Sequence, residues 1–225
     1  MPRSATVQVS RPETAGARLD LMILASWTGN CEAIDLGSGA LVRASFPVPG
    51  GSGPGTFATF DTVSATIAPG DDLDDPARPE AVNLTGVPHA TGRLSGRRAR
   101  RYLSALLAPA GKGLLGFPGS AAPYWSIKGS HPSVSLVRPD QGPQLRMRPG
   151  ENVVRCRFGW GGVEHVLPVV DEHMIAALAA TGRSSSAGAI LSNALGFKPR
   201  YLLVALTPPI DGRCYKTVAA ALPRP

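Results

Sequence analysis

The sequence predicts an α+β protein, with a β-rich N-terminal sheet or partial barrel followed by a mixed region that contains an amphipathic basic helix, β-hairpins and two short helices. Three observations predict this class. Strand-like runs separated by glycine-rich turns fill residues 18–67, helical spacing first appears after Gly96, and the remainder alternates between the two patterns. We expect residues 1–90 to form a β-rich acidic region and residues 91–225 a basic α+β region, either as two units or as one compact domain.

The first ninety residues are rich in strand signals. Apolar and β-branched runs bounded by turns predict strands at residues 19–27, 31–36, 40–46 and 56–67. Gly37-Ser38-Gly39 lies between the second and third runs and predicts a β-hairpin. A Gly/Pro-rich loop at residues 47–55 and an acidic turn at residues 71–80 complete this region.

One amphipathic helix is predicted after Gly96. Five residues recur at the spacing i, i+3, i+4, i+7 and i+8 that marks one helix face: Ala99, Tyr102, Leu103, Leu106 and Leu107. Ser95 suits the N-cap position, and Pro109 ends the helix. Residues 109–132 contain too much glycine and proline for a regular element.

The C-terminal region mixes strands with two short helices. Strands are predicted at residues 133–138, 144–148, 153–160, 163–170, 200–207 and 213–222, and helices at residues 171–181 and 185–195. Asp171 is the expected N-cap of the first helix. Gly182 and Gly196 are the expected stops.

The composition argues against several classes of protein. No run approaches the roughly 18 to 20 uninterrupted apolar residues of a membrane helix, and residues 21–27 lack the flanks of a secretory signal. We therefore expect a cytoplasmic chain without a membrane partner. Cys31, Cys156 and Cys214 are odd in number and widely spaced, which favours buried free thiols over disulfides or a zinc site.

The formal net charge of +7 is unevenly distributed. Residues 1–88 carry five basic side chains against ten acidic ones, whereas residues 89–225 carry eighteen against six. The basic part is therefore expected to bind nucleic acid or another polyanion, such as an acidic protein. The same asymmetry would suit a homo-oligomer in which the acidic and basic halves of two copies meet.

The hairpin around Gly150-Glu151 is predicted to gather arginines on one face. If the numbers of paired residues sum to 301, Arg146 lies opposite Arg155 and the apolar side chains share the other face. An even sum would mix charged and apolar residues on both faces. The apolar set is Leu145, Met147, Val154, Cys156 and Phe158. The candidate phosphate-binding residues are Arg146, Arg148, Arg155 and Arg157.

A second arginine cluster occupies the first two turns of the predicted helix. There the helix macrodipole disfavours cations by roughly 0.3 to 1 kcal/mol each. The further candidate phosphate-binding residues are Arg97, Arg98, Arg100 and Arg101. Because both clusters oppose local electrostatics, they indicate either solvated faces or surfaces that bind phosphates. Trp125 and Trp160 are candidates for stacking on bases.

Motifs for cofactors and metals are absent from the sequence. Gly111-Lys112-Gly113 lacks the other residues of a phosphate-binding loop, and residues 51–55 lack the last glycine of a dinucleotide-binding motif. The acidic turn does not fit a calcium loop, because Val82 stands where a bidentate glutamate belongs. The predicted helix at residues 185–195 has no Lys or Arg with which to read DNA. We expect no cofactor and no metal.

The leading hypothesis is a non-enzymatic binding protein whose arginine-rich face contacts nucleic-acid phosphates with little sequence preference. One alternative is an enzyme acting on a phosphate-bearing substrate, with His131 or His165 as general acid or base. A second alternative is a structural or assembly protein that binds an acidic protein partner. The salt dependence of binding discriminates among the three.

Overall fold

The computed structural model describes residues 15–48, 57–69, 77–110, 113–127 and 131–225. In these ranges the chain forms fourteen strands in three sheets together with four short helices. This architecture confirms the α+β class. The chain divides into two compact units, Met1–Ala108 and Pro109–Pro225. No described helix combines the length and the apolar character needed to cross a lipid bilayer.

The described part of the first unit contains six strands and one helix. They are β1 (Arg18–Trp27), β2 (Asn30–Asp35), β3 (Leu41–Ser45), β4 (Asp61–Thr66), β5 (Ala81–Asn83), β6 (His89–Arg93) and α1 (Gly96–Leu106). The strand order is β5-β3-β2-β1-β4-β6, and each of these pairs is antiparallel except β3–β5. The predicted hairpin across Gly37-Ser38-Gly39 is confirmed as the β2–β3 pair.

Backbone hydrogen bonds beyond the strand ends curl this sheet into a partial barrel. Ile67 forms an antiparallel bridge with Leu84. The N–H of Ala68 donates to the carbonyl of Asn83 at 2.8 Å. These bonds join the end of β4 to the end of β5, although the two strands are not neighbours within the sheet. Of the two predicted alternatives, a sheet or a partial barrel, the structure therefore confirms the partial barrel.

One buried cluster of the first unit lies on one face of this sheet, because successive side chains of a strand point to opposite faces. The other face is also partly covered, since Met22 and Ile34, which pair with each other, are fully buried. The members of the first cluster are Leu19, Leu21, Ile23, Cys31, Ala33, Val42, Ala44, Phe46, Val63, Ala65, Ile67, Val82 and Leu84. The sequence does not predict β5 and β6. β5 has only three residues, and all five residues of β6 are exposed, so neither strand shows an apolar alternation.

The second unit contains two four-stranded sheets and three helices. Its elements are β7 (Ala121–Pro123), α2 (Tyr124–Ile127), β8 (Val134–Val137), β9 (Gln141–Met147), β10 (Val154–Trp160), β11 (Val163–Pro168), α3 (Glu172–Ala180), β12 (Ser185–Ala187), α4 (Gly188–Leu195), β13 (Tyr201–Leu206) and β14 (Arg213–Leu222). One sheet has the order β11-β10-β9-β12 and the other the order β7-β14-β13-β8.

The β9–β10 hairpin has the predicted register. Arg155 pairs with Arg146, and Cys156 pairs with Leu145, so the residue numbers sum to 301. The register shifts by one residue beyond Arg157. Four members of the predicted apolar face are buried, and one is partly exposed: Leu145, Val154, Cys156 and Phe158 are buried, and Met147 is 40% exposed.

Two predictions are wrong in the second unit. The helix predicted at residues 185–195 begins only at Gly188, because Ser185–Ala187 pairs with β9 as strand β12. Residues 109–132 are not devoid of regular structure. They contain a 3₁₀ turn at Leu114–Gly116 as well as β7 and α2, and β7 forms by pairing with β14, which local composition does not reveal.

The structure confirms one of the two predicted N-cap hydrogen bonds. The Oδ1 of Asp171 accepts hydrogen bonds from the N–H groups of His173, at 2.9 Å, and Met174, at 3.4 Å, which confirms the predicted N-cap of α3. Its Oδ2 accepts from the N–H of Ala221 at 3.3 Å and so ties the helix to β14. Ser95 occupies the N-cap position of α1, but its hydroxyl forms no capping hydrogen bond.

A buried ion pair lies in the first unit. Glu32 is between Cys31 and Ala33 of β2, so its side chain points to the face opposite the cluster that contains these two residues. The Nε of Arg43 donates to the Oε1 of Glu32 at 3.0 Å, and the two side chains are 15% and 2% exposed. The Oε2 of Glu32 has no partner among the described residues. Burial raises the pKa of Glu32 to about 7, despite the opposing effect of Arg43.

This pKa predicts a pH dependence of folding stability. Because the pKa of Glu32 rises from 4.5 on folding, its contribution is complete below pH 4.5 and is lost as the pH rises through about 7. The free energy of unfolding of the wild type should fall between pH 4.5 and pH 8 by on the order of 1 to 3 kcal/mol more than that of Glu32→Gln. Urea unfolding measures both, and equal pH dependence of the two proteins would contradict the assignment.

Candidate functional site

The polar face of the β11-β10-β9-β12 sheet forms a groove of about 490 Å³. Its floor is built by register: Arg146 of β9 lies between Arg155 of β10 and Ser185 of β12. Arg157 lies between Gln144 and Val166 in the same way. The residues that line the groove are Gln144, Arg146, Arg148, Arg155, Arg157, Glu164, Val166, Ser184 and Ser185. The structure thus brings all four hairpin candidates together.

Carboxylates neutralise both ends of this groove. At the hairpin turn Glu151 lies 3.6 Å from Arg148 and 3.4 Å from Arg155, measured between nitrogen and oxygen. At the other end Glu164 forms an ion pair with Arg157. Arg146 is exposed and forms no ion pair with any described residue. The uncompensated charge is therefore concentrated on the arginine in the middle.

Neutral hydrogen-bonding groups lie beside that arginine. The Nε2 of Gln144 donates to the Oγ of Ser185 at 3.0 Å. Because this hydroxyl accepts that hydrogen bond, its own proton remains available for donation into the groove. Ser184 also lines the groove, and its carbonyl is held by the N–H of Met147 at 2.8 Å. The groove therefore offers hydroxyl donors as well as guanidinium groups.

The other four candidates lie on α1 in the first unit. The side chains of Ala99 and Leu103 are buried, and the hydroxyl of Tyr102 donates to the carbonyl of Leu36 at 2.9 Å, which anchors the helix. At about 100° per residue the four arginines span an arc of roughly 160° opposite the buried stripe. All four are exposed, and none forms an ion pair within the described part of the chain: Arg97, Arg98, Arg100 and Arg101. We call this arc the α1 face.

The two candidate stacking residues differ in exposure. Trp125, on α2, is 75% exposed. Trp160 is only 6% exposed and lies on the apolar side of β10, with its ring centroid 6.1 Å from that of His165. In this conformation a base can therefore reach the ring of Trp125 but not that of Trp160.

Neither candidate histidine lines the groove. His165 pairs with Phe158 in the β10–β11 register, with ring centroids 5.3 Å apart, so it is on the side of the sheet opposite the arginines. Burial and the charge of Lys216 lower the pKa of His165, and its Nε2 has no partner among the described residues. His131 lies near the ring of Phe117, at 6.2 Å between centroids.

The structure contains a buried lysine, Lys216, that was not predicted from the sequence. The Nζ of Lys216 donates to the carbonyls of Phe117 and Gly119, at 2.7 Å each, and lies 3.9 Å from the centroid of the Phe117 ring. Cys214 and Val218, two residues away on either side, are also buried. The apolar character of Cys214 and Val218, at a spacing of two, is the sequence signal that could have placed Lys216 on the same face, although Thr217 is buried as well. Its contacts indicate that it holds the segment at 117–119.

Metal binding has no support in the described residues. They include no group of three or more His, Cys, Asp or Glu side chains placed to hold a metal ion. Cys31, Cys156 and Cys214 are buried thiols that form no disulfide, as predicted. Burial raises the pKa of Cys31 and of Cys156 to about 12, so neither thiol is primed as a ligand or nucleophile.

Comparison with known proteins identifies no relative. No protein-family model, no curated protein and no solved structure matches this chain. The function of the groove and of the α1 face is therefore inferred from their own geometry.

The environment of Lys216 predicts its titration. Burial lowers the pKa of this lysine from 10.5 to about 8, because the charged ammonium is disfavoured away from water. Carbon-13 NMR of the lysine Cε groups should show one resonance that titrates near pH 8, and this resonance should be missing from Lys216→Met. A Lys216 resonance that titrates near pH 10.5 would contradict the burial of its charge.

Proposed function

We propose that this protein binds nucleic-acid phosphates with little sequence preference and without catalysis. The observation that carries the proposal is the α1 face, where four exposed guanidinium groups have no carboxylate partner in the described part of the chain. Two of them, Arg97 and Arg98, lie in the first turn of α1, where the macrodipole disfavours cations. A phosphate backbone placed along the face would supply the missing negative charge and accept bidentate hydrogen bonds.

The chemistry of the α1 face favours the backbone over the bases as the target. Guanidinium groups spread over roughly 160° of a helix meet phosphates at several angles, but they present no fixed pattern of donors and acceptors to base edges. Trp125 supplies an exposed ring in the second unit, and ring stacking tolerates any base. Little sequence preference follows from both features.

The enzymatic alternative has less support. An acid or base for a phosphate-bearing substrate would need to approach the arginines that stabilise the developing charge. His165 is on the opposite side of the sheet from Arg146, and His131 does not line the groove. An acidic protein partner or a second copy would satisfy the same charges. The acidic residues Asp71, Asp72, Asp74 and Asp75 lie outside the described residues. The proposal therefore depends on the α1 face alone.

Removing charge from the α1 face should weaken binding in a salt-dependent manner. For a single-stranded RNA of arbitrary sequence, log K falls with log salt by about 0.7 per neutralised phosphate. In Arg97→Gln/Arg101→Gln two contacts are lost, so the slope should become shallower by roughly 1.4. Fluorescence anisotropy at several salt concentrations measures it.

A matched control exists in the same unit. Arg18→Gln/Arg93→Gln removes the same formal charge from exposed arginines that already face Asp20 and Asp61. Its salt slope should equal that of the wild type. An equal salt slope for all three proteins, or no binding of the wild type to RNA and duplex DNA at low salt, would contradict the proposal. Strong binding to a polyglutamate chain alone would favour an acidic protein partner.

A further inference from the structure

The distribution of charge in the groove differs from that on the α1 face. A long polyanion is matched by a row of uncompensated cations, but in the groove the arginines at both ends are already paired with Glu151 and Glu164. The four arginines and two glutamates leave two positive charges. One is on Arg146, which has no ion pair with a described residue. The other is shared by Arg148 and by Arg155, which lies opposite Arg146, because both face the single carboxylate of Glu151. The pattern suits a compact dianion.

The neutral groups of the groove suit the same ligand. A phosphate monoester carries three acceptor oxygens and about −1.5 to −2 charge at neutral pH. Two guanidinium forks and the hydroxyl of Ser185 supply donors for those oxygens. The groove volume of about 490 Å³ also falls within the range of roughly 300 to 1,000 Å³ that is typical of small-molecule sites. Val166, 47% exposed, adds an apolar surface for the esterified group.

We propose that this groove binds a small phosphate monoester, with the phosphate between Arg146 and Arg155 and the esterified group extending toward Val166. This site is separate from the α1 face, and it does not depend on nucleic-acid binding there. The cross-strand register explains why the two arginines can act together. Directly opposed residues bring their side chains side by side, where like charges repel until an anion lies between them.

Glu151 is the internal competitor of this ligand. Its carboxylate lies 3.4 Å from the Nε of Arg155 and 3.6 Å from Arg148, in an exposed ion pair of the kind that contributes little to stability. A phosphate that takes two hydrogen bonds from Arg155 must share or displace this carboxylate. Glu151→Gln should therefore tighten phosphate binding by about two- to fivefold.

Calorimetric titration with phenyl phosphate tests the site directly. The wild type should bind it saturably, and Arg146→Ala should weaken binding by about tenfold or more, because it removes charge-assisted hydrogen bonds. Arg138→Ala, which changes an exposed arginine outside the groove, should bind like the wild type. The amide NMR spectrum checks that Arg146→Ala is folded. Arg146→Gln provides a second variant at this exposed position.

Further probes separate the outcomes. Benzenesulfonate, a monoanion of similar shape, should bind more weakly than phenyl phosphate. A nucleoside 5′-monophosphate that binds more tightly would assign the esterified group as a nucleoside, and inorganic phosphate binding equally well would restrict the site to the anion. Arg97→Gln/Arg101→Gln should retain phosphate binding, so a failure of RNA binding alone leaves this inference intact. Absence of saturable binding at millimolar phenyl phosphate, or equal binding by Arg146→Ala, overturns it.

Discussion

The register of the β9–β10 hairpin is the constraint on which the groove depends. Burial of Leu145, Val154 and Cys156 requires paired residue numbers with an odd sum, which is 301 in the structure, because any odd slip would carry these apolar side chains to the solvent face. The same register places Arg146 opposite Arg155, which is unfavourable for two like charges on their own. Apolar burial, worth roughly 1.5 to 3 kcal/mol per large side chain, outweighs a repulsion of less than about 1 kcal/mol.

Differences in charge compensation separate the two arginine clusters. In the groove, ion pairs with Glu151 and Glu164 compensate the ends and leave a central site. On the α1 face, no described carboxylate compensates any of the four guanidinium groups. A row of uncompensated cations suits an extended polyanion, whereas two opposed arginines between neutralised ends suit one compact anion. The two proposals therefore rest on different features of separate units.

Much of the fold could be predicted where pattern and local chemistry agree. The β9–β10 register followed from a period of two, and the α3 cap followed from Asp171. β12 and β7 could not be predicted, because each depends on pairing with a distant strand rather than on its own three residues. For the site, the sequence predicted which arginines share a face. It could not reveal the pairing by Glu164 or the contacts of Lys216 with Phe117 and Gly119, because these depend on how separate elements pack. The burial of Trp160, by contrast, follows from the same period of two along β10.

The most direct test that the two arginine clusters bind different ligands is an NMR titration that observes the arginine Nε–H groups. Single-stranded RNA should perturb the side-chain resonances of Arg97, Arg98, Arg100 and Arg101, whereas phenyl phosphate should perturb those of Arg146 and Arg155. Each resonance is assigned by its loss in the corresponding arginine-to-glutamine variant. Perturbation of the same set by both ligands, or of neither set by its own ligand, would contradict the account.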